Sequence, residues 1–117
     1  MDQNTIKINN FDVSNKLPFF LIAGPCAIES KDHAIDHAGK IEEICKRHNI
    51  NLVYKSSFDK ANRSSSLSSR GVGIDKGLNI LSDVKKTFNL PLITDVHETI
   101  QCKEVAQVVD IIQIPAF

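Results

Sequence analysis

The sequence carries no net charge: fourteen Lys and Arg residues face fourteen Asp and Glu residues among 117. Broad nucleic-acid and membrane surfaces are strongly basic. The balance therefore speaks against both as partners, and positive charge has to act locally. There is no CxxC pair either. Cys26, Cys45 and Cys102 are three widely spaced cysteines, an odd count that suits reduced thiols in the cytoplasm better than a disulfide framework. No basic segment leads into a long apolar one, so no signal peptide is expected. The apolar runs stay far short of the roughly 20 residues that cross a bilayer. A soluble, cytoplasmic protein is expected. The sequence also lacks a P-loop and a GxGxxG fingerprint. One strand-end histidine and scattered cysteines make no Ser-His-Asp or Cys-His triad.

What is present has an ordinary globular balance, 42% hydrophobic and 24% charged, over a length that suits one small domain. The runs "PFFLIAGPC" (18–26), "NLVYKSSF" (51–58), "LPLITDVH" (90–97) and "VDIIQIPAF" (109–117) read as parallel strands buried on both faces. Helical stripes lie between them. Ala34, Ala38, Ile41 and Cys45 recur at helical spacing behind the N-cap candidate Ser30. Ile74, Leu78, Leu81, Val84 and Phe88 form a second stripe, stopped by Asn89 and Pro91. Cys102, Val105 and Ala106 form a shorter one over about 99–108. Before all of these, Ile6-Lys7-Ile8 and Phe11-Asp12-Val13 flank Asn9-Asn10, a hairpin signal.

The order is a hairpin followed by βαβαβαβ, which predicts a parallel sheet with right-handed crossovers. The sequence stops on the fourth strand with no helix to cover it, and a (β/α)8 barrel needs about 250 residues. The expected fold is therefore α/β, the N-terminal half of a TIM (β/α)8 barrel. Residues 1–17 form the hairpin, and residues 18–117 form strands one to four with three helices. The C-terminal half is absent from the sequence, whether by truncation or by a split.

Side chains alternate along a strand, and each strand run starts apolar and finishes polar. Lys55 and Ser57 share one direction on the second strand, Asp95 and His97 on the third. Gln113 closes the fourth strand and Cys26 the first. In barrels and open α/β sheets alike, that end carries the chemistry. The second strand runs into "YKSSFDKANRSSSLSSRG" (54–71). There Lys55 and Lys60 offer point charges, Arg63 a planar fork, and Ser64 and Ser65 hydroxyl donors, a set suited to a phosphorylated anion. By composition alone, the same loop reads first as a solvated one, since basic and serine-rich loops are usually solvated. Cys45 and Cys102 fall on helix stripes and are assigned to core packing. His33 and His37, four apart, are assigned to the surface. "RGVG" (70–73) turns the chain into the next helix.

The segments "IAGPCAIES" (22–30), "KSSFDKANRSS" (55–65), "RGVG" (70–73), "ITDVHE" (93–98) and "IIQIPAF" (111–117) together resemble the 3-deoxy-D-manno-octulosonate 8-phosphate synthase family, from about Phe19 to the end. The resemblance implies a TIM barrel closed below by an N-terminal hairpin, usually a homotetramer. It implies condensation of phosphoenolpyruvate with D-arabinose 5-phosphate and water, releasing phosphate, for the lipopolysaccharide core. It implies that Lys55 and Lys60 contact phosphoenolpyruvate and reach toward the sugar. Gln113, Pro115, Ala116 and Phe117 line the phosphoenolpyruvate pocket, and Ser57 belongs with the substrate-binding set. Asn62, Arg63 and Ser64 hold arabinose 5-phosphate, the last two at its phosphate. Asp95 lies at the reacting centre, and Lys60, Asp95 and Asn62 are the catalytic candidates. Cys26 stands where one class of the family has a metal-binding cysteine and the other an asparagine. A divalent metal (zinc, iron or manganese) is therefore implied, its remaining ligands lying in the missing half.

Two rivals stand beside this reading. The sibling heptulosonate 7-phosphate synthase takes erythrose 4-phosphate, but shows Lys-Pro-Arg-Thr where this sequence has Lys60-Ala61-Asn62-Arg63-Ser64. A truncated remnant with no enzymatic activity is the other, and the isolated 117 residues are expected to be inactive.

Overall fold

The computed structural model describes residues 4–60 and 71–116. Two three-residue strands open the chain, β1 (Ile6–Ile8) and β2 (Phe11–Val13), paired antiparallel. Asn9 between them takes φ 51°, left-handed backbone that asparagine tolerates better than most residues. The Asn9-Asn10 signal thus becomes the turn of a hairpin.

Four strands follow: β3 (Leu21–Ala23), β4 (Leu52–Lys55), β5 (Leu92–Asp95) and β6 (Ile111–Gln113). They form one parallel sheet in the order β3-β4-β5-β6. Every strand lies beside its predecessor. A doubly wound sheet reverses its strand order part-way, whereas a (β/α)8 wall keeps stepping in one direction. A hairpin and four such steps are the architecture of the first half of a TIM barrel.

Helices α1 (Lys31–Arg47), α2 (Ile74–Phe88) and α3 (Gln101–Val105) fill the connections. Ser30 caps α1 as its position suggests, its hydroxyl accepting from the His33 N–H at 3.1 Å. Asn89 ends α2 in the left-handed region at φ 54°, and its N–H donates to the Lys85 carbonyl. The third helix is shorter than the 99–108 stripe suggested. Its chain must already enter β6 at Ile111, so only one α-helical turn forms before turns carry it down.

All three helices cover one face of the sheet. Ala34, Ala38 and Cys45 from α1, Leu78, Leu81 and Val84 from α2, and Val105 from α3 pack with Leu52, Tyr54 and Leu92. Leu21, Ala23 and Ile112 join from the outer strands. Cys45 is thus a core residue, at 2% exposure. The alternate strand positions, Ile22, Val53, Ile93 and Ile111, turn the other way, with Ile22 level with Val53 and Ile93 with Ile111. This is the inner face of a barrel wall.

The entry ends of the strands are locked by Asp110. Its carboxylate accepts the Leu92 N–H at 2.8 Å and lies 2.9 Å from Lys85 Nζ on α2. That leaves the opposite ends of the strands for a site. Among the described residues, no helix is long and apolar enough to cross a membrane.

Tyr54 is fully buried in the helix-side core, and its hydroxyl meets no hydrogen-bond partner among the described residues. Burial raises this hydroxyl above the usual phenol range. The neighbouring Ser56 hydroxyl opposes the rise, but it is committed as a donor to the Pro25 carbonyl. Below about pH 10, the ordinary phenol value, Tyr54 is neutral in the folded and unfolded chains alike. Above it the unfolded chain loses the proton first, so stability falls as pH rises toward the folded value. Tyr54→Phe is expected to remove this alkaline loss. At neutral pH it should stay within about 1 kcal/mol of the parent, because it deletes an unsatisfied polar atom. Urea denaturation at about pH 8 and about pH 11 separates the two effects.

Candidate active site

The exit ends of the four strands converge on a cavity of about 670 Å³. Lys55, Asp95 and Gln113 are the last residues of β4, β5 and β6, and Cys26 lies three beyond β3. All four line the cavity, together with Lys60, Pro115 and Ala116. This is the end of the strands at which barrel enzymes carry their chemistry.

The wall on the β4 side is built by backbone satisfaction. The strand ends at Lys55, so beyond a single parallel bridge between Ser57 and Ala27 the carbonyls that follow have no regular ladder to join, and buried carbonyls need partners. Each finds a different one. The Ser56 carbonyl accepts from Thr94 Oγ1 of β5 at 2.7 Å. The Ser57 carbonyl accepts from the Ile28 N–H at 2.9 Å, and the Phe58 carbonyl from the Gly73 N–H at 2.9 Å. The Asp59 carbonyl lies 2.6 Å from His97 Nε2. On the β3 side, the Ser56 hydroxyl donates to the Pro25 carbonyl at 2.5 Å, and the Ser57 N–H to the Cys26 carbonyl at 3.2 Å. The segment 56–59 is therefore stitched to β3, β5 and the start of α2, immediately before Lys60.

Two glycines make room for this. A Cβ on Gly24 would collide with the Lys55 carbonyl, and one on Gly71 with the Phe58 carbonyl. Gly71 also takes φ 116°, which side-chain-bearing residues avoid. Gly24 thus sets how closely β3, and Cys26 after it, approaches Lys55. The "RGVG" glycines return the chain to Phe58.

The electrostatics of the cavity combine cations with acceptors. Lys55 and Lys60 bring positive charge. Asp95 has a side chain only 6% exposed, with Oδ2 3.5 Å from His97 Nε2. Asp95 Oδ1 and Gln113 Oε1 are buried with no hydrogen-bond partner among the described residues. The two residues are register partners on adjacent strands. A buried carboxylate oxygen without a donor is costly, and a ligand that brings hydroxyl donors relieves that cost. Two lysines beside two hungry acceptors suit a ligand that is both anionic and hydroxylated.

Of the residues singled out in the sequence, Cys26, Lys55, Lys60, Asp95, Gln113, Pro115 and Ala116 meet at this cavity. Ser57 is fully buried and is not among the lining residues. Asn62, Arg63, Ser64 and Phe117 lie outside the described residues. Sequence reasoning missed five others that line the cavity: Val96, Glu98, Thr99, Cys102 and Ile114. Cys102 also packs partly against the core, so its helix stripe concealed its second exposure. His97, visible in the sequence only as a strand-end histidine, proves to bridge two elements. His33 and His37 stack with ring centroids 4.1 Å apart on the first turns of α1, their side chains 28% and 44% exposed.

Cys26 is exposed and borders the cavity, which suits a thiolate donor to a metal. A structural or catalytic zinc site takes three or four protein ligands. Among the described residues, no three His, Cys, Asp or Glu side chains are grouped to hold an ion, and His97 Nε2 is occupied by a carbonyl. The described residues thus contribute Cys26 as a candidate ligand and do not by themselves form a metal centre.

Residues 5–117 match the DAHP synthetase I family, and the chain belongs to that family. A protein of Francisella tularensis subsp. holarctica named 2-dehydro-3-deoxyphosphooctonate aldolase is 62% identical over 112 residues, 96% of this chain and 41% of the relative. Proteins of the same name from Rickettsia bellii and Rickettsia conorii are 55% and 56% identical over 115 residues, 98% of this chain and 42% of theirs. The chain therefore spans about two fifths of the length of the curated relatives it matches.

Two substitutions test the stitching. Thr94→Val keeps the shape but leaves the buried Ser56 carbonyl without its donor, and is expected to cost about 1–3 kcal/mol. Gly24→Ala forces β3 away from Lys55 and is expected to cost about 1–3 kcal/mol or more. Denaturant midpoints measure both. A neutral Gly24→Ala would mean that the two strands do not need this close approach.

Proposed function

We infer that this member of the DAHP synthetase I family supplies the hairpin and first four strands of a (β/α)8 barrel, and that the complete barrel condenses phosphoenolpyruvate with D-arabinose 5-phosphate and water. The products are 3-deoxy-D-manno-octulosonate 8-phosphate and inorganic phosphate, and the reaction serves lipopolysaccharide core synthesis. The observation that carries this reading is the convergence of Lys55, Lys60, Asp95 and Gln113 on one cavity, in a chain 55–62% identical to proteins named for this aldolase activity. The sibling heptulosonate reading shares the family description. It is the weaker one, because the relatives at this identity carry the octulosonate name and Lys60 is followed by Ala-Asn-Arg-Ser.

In this reading C3 of phosphoenolpyruvate attacks the aldehyde carbon of the sugar, and water adds at C2. Negative charge develops on the aldehyde oxygen as the new bond forms. Lys55 and Lys60 bind phosphoenolpyruvate, and their ammonium groups stabilise developing charge better in a walled cavity than in water. Asp95 and Gln113 accept from sugar hydroxyls or from the incoming water, which satisfies Oδ1 and Oε1. Pro115, Ala116 and Phe117 complete the phosphoenolpyruvate pocket, with Ser57 behind the same wall. Asn62, Arg63 and Ser64 hold the sugar phosphate, Arg63 through its bidentate fork. Fixing both phosphates makes a two-substrate encounter effectively intramolecular. A divalent metal held by Cys26, with further ligands from the second half of the barrel, would polarise the aldehyde or orient water. We place the complete enzyme in the cytoplasm, as a homotetramer.

The complete barrel carrying this chain is expected to prefer D-arabinose 5-phosphate to D-erythrose 4-phosphate when both compete for phosphoenolpyruvate. The reverse preference, read by product mass, would reject the octulosonate assignment. Lys60→Ala in that barrel is expected to lower kcat/KM by about 100-fold or more. The 117 residues alone are expected to release no phosphate from the two substrates, since half the barrel mouth is then missing.

A further inference from the structure

The four carbonyls after β4 are not held alike. Those of Ser57 and Phe58 accept from main-chain N–H groups, and that of Ser56 from a hydroxyl within the sheet. The carbonyl of Asp59, the residue directly before Lys60, accepts from the His97 ring at 2.6 Å. A carbonyl can only accept, so Nε2 carries the proton. His97 is itself held on three sides. Its main-chain N–H donates to Gln101 Oε1 at 2.8 Å, its ring meets Phe58 edge-on at a centroid distance of 5.9 Å, and Asp95 Oδ2 lies 3.5 Å from the same Nε2. The ring thus spans from the end of β5 to the chain leaving β4 and is only 15% exposed.

We propose that His97, which itself borders the cavity, is a positioning residue that fixes Lys60 there by clasping the Asp59 carbonyl. The clasp is a hydrogen bond through Nε2–H, and the ring packing on Phe58 serves to aim it. Lys60 has a long, rotamer-rich side chain, and its backbone anchor decides how much of that freedom must be lost when phosphoenolpyruvate binds. The consequence for binding rests on the reading of Lys60 as a phosphoenolpyruvate contact; the clasp itself does not.

The test compares His97→Phe, which keeps a ring against Phe58 but has no donor, with His97→Gln, which loses the ring but can present an N–H near the Nε2 position. His97→Met, similar in length to Gln but without the N–H, replaces the Phe variant if that one does not fold. The complete barrel carrying the chain is used throughout. Amide hydrogen exchange of Asp59 and Lys60 is expected to accelerate about 10-fold or more in the donor-less variants and to return toward the parent rate in His97→Gln. The KM for phosphoenolpyruvate is expected to rise about 10- to 100-fold in the donor-less variants, with kcat changed less and the Gln variant recovering. Unchanged exchange at Asp59 and Lys60 overturns the proposal, as does a Gln variant as impaired as the Phe or Met variant. If exchange responds and recovers as expected but phosphoenolpyruvate is no substrate even for the parent, the clasp stands and the proposed reaction falls.

Discussion

The constraint on which the site depends is the hydrogen-bond debt of the chain leaving β4. Once the strand stops at Lys55, the carbonyls of three buried residues, Ser56 to Phe58, and of half-buried Asp59 lie beyond the regular ladder, with only a single bridge, Ser57 to Ala27, continuing it. An unpaired buried carbonyl costs about 1–3 kcal/mol, so the fold must bring a donor to each. It does so from three directions: Thr94 of β5 and His97 just beyond it, Ile28 from the β3–α1 connection, and Gly73 from the start of α2. Satisfying those carbonyls is what gathers the ends of three strands into one wall.

The same arrangement explains where small residues sit. Gly24 lets β3 approach the Lys55 carbonyl, and Gly71 lets the returning chain pass the Phe58 carbonyl. Neither is near the cavity because of what it does chemically. Each is there because a Cβ would separate elements whose closeness positions Cys26, Lys55 and Lys60. At the other end of the sheet, Asp110 locks β5, β6 and α2 together. At the cavity, two side chains keep hydrogen-bonding capacity that no described residue meets. They are Asp95, at Oδ1, and Gln113, at Oε1.

Much of the fold could be read from periodicity, because burial leaves a local trace. The α2 stripe runs from Ile74 to Phe88 in both the sequence and the structure, with Asn89 as the stop. Ser30 capped the helix it preceded, and Asn9-Asn10 made a turn. The third helix was overestimated, because the stripe Cys102, Val105, Ala106 says nothing of how soon the chain must re-enter the sheet. At the site, a polar residue at each strand end pointed to the cavity, since alternation and strand direction are local properties. Cys102 packs against the core as its stripe suggested and also borders the opening, a second contact that a helix stripe does not reveal. Ser57 shares the alternation of Lys55, yet it sinks out of the cavity lining where the strand gives way to stitched loop.

By itself the sequence determined the element order, the parallel sheet, the cationic loop and the family, because propensity, hydrophobic period and motif order are written in neighbouring residues. Tertiary structure alone decided the partners of the carbonyls of residues 56–59, the bridging role of His97, and the pairing of Asp95 with Gln113 as two acceptors without donors among the described residues. Those facts depend on residues well separated in sequence, from Phe58 with Gly73 to Asp59 with His97. Hydrogen bonds of that range have no period, and only the packing of one strand beside the next brings donor and acceptor into reach.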